Sequence, residues 1–217
     1  MGLVVQTLSE QIFALVRDRI VSGEIPVAAA IRQDALAAEL GVSKIPLREA
    51  LARLEQEGLL IARANRGFFV RPLKPAEAEE VFALRLKIEP ETVARASKVA
   101  THTDKAAARA ALRELDRAAV ADRASVGRLN RAFHTSLIRP LDQPVTVQIL
   151  ERLNLIGERY VAKHLDPADH GDRSHKEHLA MLNLWSAGEA HDVAAAMHAH
   201  IATTLDDLRR AFDREDA

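Results

Sequence analysis

Apolar residues recur at helical spacing along nearly the whole chain, and one short stretch reads as strands instead. Leu8, Ile12, Leu15, Val16 and Ile20 fall on one face and predict a helix over about 7–22, stopped by Gly23. "RQDALAAEL" predicts a short second helix ended by Gly41. A third follows, with Ser43 as its N-cap, Pro46 in its first turn, a stripe of Leu47, Leu51 and Leu54, and Gly58 as its stop. In "LLIARANRGFFVRP" apolar runs flank "ANRG", where Asn65 and Gly67 tolerate positive φ, so a β-hairpin is expected. Beyond "RPLKP" the pattern is helical throughout: about 76–100, 104–122, 125–139, 143–165, 172–187 and 190–213. Pro90 should kink or split the first of these, and Pro140, Pro144, Pro167 and Gly188 mark breaks.

Three short helices and a two-stranded wing describe a winged helix-turn-helix over residues 1–72. A linker at 73–76 and an antiparallel bundle of six or seven helices over 77–217 complete a mainly α chain. In a winged helix-turn-helix the N-terminal end of the third helix enters the DNA major groove. Lys44 and Arg48 stand there, one turn apart and off the leucine stripe. Arginine can address guanine O6 and N7 with two hydrogen bonds, and lysine can reach a base or a phosphate. Arg66, at the wing tip, is placed for phosphate or the minor groove.

Composition sharpens the division. Net charge over all 217 residues is −1. Residues 1–75 carry 10 Lys/Arg against 8 Asp/Glu, and residues 76–217 carry 20 against 23. The nine histidines lie between His102 and His200. Cysteine is absent, which excludes disulfides and thiolate metal sites and is compatible with a reducing cytoplasm. No apolar run approaches the roughly 20 residues that span a bilayer, and "MGLVVQTLSE" does not read as a signal peptide. A cytoplasmic protein without a membrane partner is expected.

"LAAELGVSKIPLREALARLEQEGLL" followed by "RGFFV" resembles the DNA-binding domain of GntR-type bacterial transcription regulators, over residues 8–72. The resemblance implies a DNA surface made by Arg32, Ser43, Lys44, Leu47, Arg48, Arg66 and Gly67. Three departures stand out. The family usually carries Pro-Gly before the second helix, where this chain reads "IPVAAAIRQ". A basic residue common early in that helix is Asp34 here, and Lys44 stands where arginine is commoner.

"EVFALRLKIEPETVARAS", "LNRAFHTSL" and "HKEHLAMLNLWSAGEAHDVAAAMHAHI" resemble the all-helical, FCD-type effector-binding domain of the FadR-like branch. Many members bind a divalent metal through a carboxylate, a histidine four residues later, and two further histidines. That pattern implies Asn130, His134, His178 and His200 as metal ligands, with Asn130 where the family carries Asp. Spacing agrees. Asn130 and His134 are one helical turn apart. His178 and His200 are equidistant from residue 189, in the turn of a helical hairpin, so both lie about 16 Å from it and face one another. Three imidazoles suit zinc, nickel or a similar ion with positions left open for an oxygen ligand. Asn130 leaves the ion's charge uncompensated, so an anionic effector is expected to complete it. Arg85 matches an arginine kept near the cavity in FCD-type proteins and is a candidate carboxylate clamp. Arg159 and Tyr160 are further candidates for its lining.

The function expected is a ligand-responsive repressor that binds a pseudo-palindromic operator as a homodimer and answers to a small organic or sugar acid. The competing class is a metal-dependent helical-bundle enzyme, against which stand the missing paired Glu-x-x-His elements and the lack of a nucleophile–base pair.

Overall fold

A computed structural model describes residues 7–121, 123–165 and 167–215, with the side chains at 123–124 and 167–172 outside the description. The chain forms two compact units, residues 1–73 and 74–217.

In the N-terminal unit α1 (Leu8–Val21) begins with a capping box: the Thr7 hydroxyl accepts from the Glu10 amide, and the Glu10 carboxylate accepts from the Thr7 amide. α2 (Gln33–Leu40) ends on Gly41 in the left-handed conformation. α3 (Lys44–Gln56) buries Leu47, Ala50, Leu51 and Leu54 completely, against Ile12, Val16 and Ile20 of α1 and neighbouring core residues. The hairpin is as expected, with β1 (Leu60–Arg63) antiparallel to β2 (Gly67–Val70) and Leu60 opposite Val70. Asn65 and Gly67 take φ 57° and 79° at its tip. The sequence pattern gave no hint of a third pairing, in which Ala30 bridges to Phe69 and the Ile31 amide donates to the Phe68 carbonyl. Ala28 precedes it with φ 63°, a conformation that favours the glycine the family carries in this segment.

The C-terminal unit has six helices among its described residues: α4 (Pro75–Val99), α5 (His102–Ala121), α6 (Arg123–Ile138), α7 (Pro144–His164), α8 (Pro167–Ala187) and α9 (Ala190–Glu215). A single 3-10 turn, Arg139–Leu141, precedes α7. Two proline expectations need correction. Pro90 does not split α4, which runs unbroken for 25 residues. It is buried along with Phe82, Glu89, Val93 and Ala96, and packing of α4 against α9 and α7 outweighs the lost backbone hydrogen bond. Pro167 marks a helix boundary as expected, but α8 begins on it and not near residue 172, because a proline in the first turn has no hydrogen bond to lose. The α8–α9 turn holds Gly188 at φ 80°, with its amide on the Trp185 carbonyl and the Glu189 amide on that of Leu184. Trp185, Phe82 and Phe133 are among the largest fully buried side chains.

Candidate functional site

The residues expected to face DNA gather at the N-terminal ends of α2 and α3. Arg32, Gln33, Asp34, Lys44 and Arg48 line one open depression. Ser43 occupies the N-cap position of α3 with extended backbone, but its hydroxyl makes no capping bond. Lys44 Nζ lies 2.6 Å from Asp34 Oδ1, so the acidic departure in α2 holds a cation of the reading helix. Arg66 is exposed in the turn between the strands. Gly67 opens β2 so close to α2 that a Cβ there would sit 3.2 Å from Gln33 Nε2. Leu47 is corrected: it is completely buried and belongs to the core stripe, not to the DNA surface. Ile45, missed in the sequence, is 72% exposed beside Lys44 and offers an apolar contact of the kind a thymine methyl accepts. Its signal was its position off the leucine stripe.

The second centre lies inside the helical unit. α6 brings His134, α8 His178 and α9 His200. One ring nitrogen from each lies within 4.8 Å of the others, and all three residues are buried. Ring centroids are 4.9 Å apart for His178 and His200, 5.1 Å for His134 and His178, and 5.3 Å for His134 and His200. The hairpin thus levels His178 with His200 as the spacing required. Asn130, one turn before His134 on α6, is partly buried.

Two carboxylates missed in the sequence stand behind the rings. Glu89 of α4 is 1% exposed, with Oε1 3.2 Å from His134 Nδ1 and Oε2 accepting from Arg85 Nε at 2.9 Å. Glu177 of α8 puts Oε2 2.6 Å from His200 Nδ1 and Oε1 3.3 Å from Arg173 Nε. A glutamate four residues after Arg85, on the helix face that carries Ala78, Phe82 and Val93, was the signal for the first. Burial works to raise the Glu89 pKa, but the Arg85 charge and His134 hold it well below the usual carboxylate range. Burial pushes His200 down to about 4, against the opposing effect of its hydrogen bond to the Glu177 carboxylate, so its imidazole is neutral near pH 7 and able to bind a metal.

Of the other candidates, Arg85 reaches the centre through Glu89. Arg85 lies beside Gly157 of α7, where a Cβ would be 3.5 Å from its NH1. Tyr160 donates to Glu77 Oε2 at 2.6 Å and accepts from the Lys74 amide at 3.1 Å. Burial and the Glu77 bond raise its hydroxyl well above the ordinary tyrosine range. Glu77 and Glu89 are 12 residues apart on α4, about 18 Å along the axis, so Tyr160 braces the start of α4 at a distance from the imidazoles. Arg159 is buried on the same helix. His175 pairs with Asp116 at the surface, His164 with Glu215, and His191 and His198 are exposed. The His170 side chain lies outside the described residues.

The donor set fits a divalent cation. His134 Nε2 is buried and, like Nδ1, has no full hydrogen bond among the described residues, and it lies in a cluster with two further buried imidazoles. Such an atom is costly to bury unless something accepts its lone pair.

A winged-helix unit that reads DNA, joined to a helical unit built around buried imidazoles, defines a DNA-binding regulator with a ligand-binding domain. Residues 8–70 match the model of bacterial regulatory proteins of the gntR family, and residues 80–203 match the FCD domain. The chain belongs to the GntR family of transcriptional regulators, in its FadR-like branch with an FCD domain. It is 34% identical over 179 residues to the Nta operon transcriptional regulator of Aminobacter aminovorans, covering 82% of this chain and 83% of that one. It is 25% identical over 205 residues to a probable D-xylose utilization operon transcriptional repressor of Paenarthrobacter nicotinovorans, with 92% and 88% covered. The solved structure of McbR/YncC from Escherichia coli superposes with a TM-score of 0.83 at 21% identity, covering 96% of this chain and all of that one. These relatives are transcriptional regulators, and the enzyme alternative has no support among them. No described helix is long and apolar enough to cross a membrane.

Proposed function

We propose that the protein is a repressor that binds a pseudo-palindromic operator as a homodimer in the cytoplasm and responds to a small organic or sugar acid through a divalent metal in the helical unit. The observation that carries the metal is the cluster of three buried imidazoles with the unpartnered Nε2 of His134. His134, His178 and His200 hold the ion, zinc, nickel or similar, and Asn130 supplies at most a neutral oxygen. The bound ion supplies a Lewis-acidic positive charge for a carboxylate.

The helical unit recognises its effector by charge. Imidazoles and a neutral amide leave room for an anion, and Arg85, whose Nε holds Glu89 behind His134, has further guanidinium N–H groups suited to a carboxylate oxygen. Arg159 is a further candidate for that cavity. In the N-terminal unit Lys44 and Arg48 read the major groove, with Arg32, Ser43 and Arg66 on the DNA backbone. Two copies are needed because one winged unit reads one half-site. The effector shifts operator affinity by binding one conformation of the dimer more tightly than the other.

The test uses purified protein on its operator in a fluorescence anisotropy titration. Metal is removed or restored, and a panel of small carboxylates is added. Stoichiometric metal, and acid-induced release from DNA that disappears without metal, are expected. A protein without stoichiometric metal, whose melting temperature a chelator leaves unchanged, overturns the metal reading. Release by the acid in that metal-free protein would assign anion binding to the histidines directly.

A further inference from the structure

The three imidazoles are not equivalent. Glu177 Oε2 lies 2.6 Å from Nδ1 of His200, and Glu89 Oε1 lies 3.2 Å from Nδ1 of His134. An ionised carboxylate only accepts hydrogen bonds, so the nitrogen that faces it carries the hydrogen. In a neutral imidazole the lone pair is then on Nε2, at the far side of the ring. We propose that Glu89 and Glu177 are positioning residues of the metal centre: they hold His134 and His200 as Nδ1–H tautomers and turn both Nε2 lone pairs onto one ion.

This inference rests on the metal reading above, and two further observations support it. His134 Nε2 is buried without a hydrogen-bond partner among the described residues, as a lone pair aimed at a cation would be; Nδ1, also buried and without a full hydrogen bond, faces Glu89 Oε1 at 3.2 Å. Each glutamate is also fixed from its own far side by an arginine. Arg85 Nε donates to Glu89 Oε2 at 2.9 Å, and Arg173 Nε lies 3.3 Å from Glu177 Oε1 while its other end pairs with Asp207. The geometry is therefore an arginine, a glutamate and a histidine in series, twice, from α4 to α6 and from α8 to α9. Carboxylates that hold ligating histidines in this way orient the ring and raise its basicity.

The arginines also decide the charge. Each glutamate is matched by a guanidinium, so the pair orients the rings without neutralising the ion. With Asn130 neutral, the positive excess stays on the open side of the metal. The two relays thus fix the ligands and leave the charge for the effector anion. At His178 the Nε2 lies 3.3 Å from the Ser174 hydroxyl, which can donate or accept.

Zinc is the probe, and its affinity is measured on full-length protein by competition with a chromophoric chelator. Glu177→Ala should weaken zinc binding by about 10–100-fold. Glu177→Gln, whose amide oxygen still accepts from Nδ1–H but carries no charge, should fall between that and wild type. Glu177 is partly exposed, so these variants should keep the wild-type melting temperature without metal. Glu89→Gln tests the buried relay in the same way where it folds. Two-bond proton–nitrogen spectra of protein labelled on histidine nitrogen should show His134 and His200 protonated on Nδ1 and metallated on Nε2 in the zinc form. A merely structural glutamate would leave that signature unchanged when replaced; here Glu177→Ala should mix the His200 tautomers in the metal-free protein. Zinc held through Nδ1 of either ring, or wild-type affinity in Glu177→Ala, overturns the inference and leaves the metal reading standing. A wild-type protein that takes up no zinc overturns both.

Discussion

Arg32, Gln33, Asp34, Lys44 and Arg48 reach one open surface from two successive helices, whereas His134, His178 and His200 meet in a closed interior from three helices spread over residues 134–200. The reading surface stands on a core it does not belong to. Leu47 and Arg48 are neighbours in the chain, yet one is completely buried and the other exposed. The histidine centre has no such separation. Its imidazoles belong to core residues, packed by Phe133, whose ring centroid is 5.0 Å from that of His178. Function and stability can therefore be cut apart in the first unit by moving one residue along the chain. In the second they are joined, and only a chemical readout separates them.

The largest expected effect breaks the fold side of that contrast. Leu47→Ala should cost about 2–5 kcal/mol, because it removes a fully buried side chain and leaves a cavity. Urea denaturation of the N-terminal unit reads it, and a loss below 1 kcal/mol would contradict the packing described. Arg48→Ala should cut operator affinity by about 1–3 kcal/mol and leave the denaturation midpoint in place. Wild-type affinity in an anisotropy titration would remove Arg48 from the reading surface.

In the other unit His178→Ala should abolish stoichiometric metal and blunt the effector response while operator affinity stays within a few-fold of wild type. Equal loss of DNA binding would mean that the histidine is structural for the whole chain. Acid should also separate the units. His200 is neutral when folded, with a pKa near 4 against the usual 6.5, so the unfolded chain binds the proton first as pH falls. Metal-free stability of the helical unit should thus decline between about pH 6.5 and pH 4, and His200→Asn should flatten that decline. The smallest effect sharpens the comparison at the backbone. Ala28 has φ 63°, so Ala28→Gly should stabilise the N-terminal unit by about 1 kcal/mol without changing operator affinity.

Legibility in the sequence followed the range of the contacts. The helices of the N-terminal unit, its hairpin and the positions of Lys44, Arg48 and Arg66 were all readable, because caps, glycine stops and periodicity act over a few residues. The pairing of Ala30 with Phe69 was not, since nothing in "VAAAIRQ" marks a strand; the edge of β2 supplies the partner. Pro90 misled because local propensity counts one lost hydrogen bond and a 25-residue helix packed against two others does not depend on it.

By itself the sequence determined two units of different charge, a winged reading head, a helical bundle, and the levelling of His178 with His200 by a hairpin of fixed rise. It also set Asn130 one helical turn before His134, where the family resemblance implies a carboxylate. Only the tertiary structure decided that Leu47 is core, that Tyr160 braces Glu77, and that Glu89 and Glu177 stand behind the rings with an arginine each. The reason is range: a helix sets which residues share a face, but which face meets which carboxylate depends on how helices separated by tens of residues pack together.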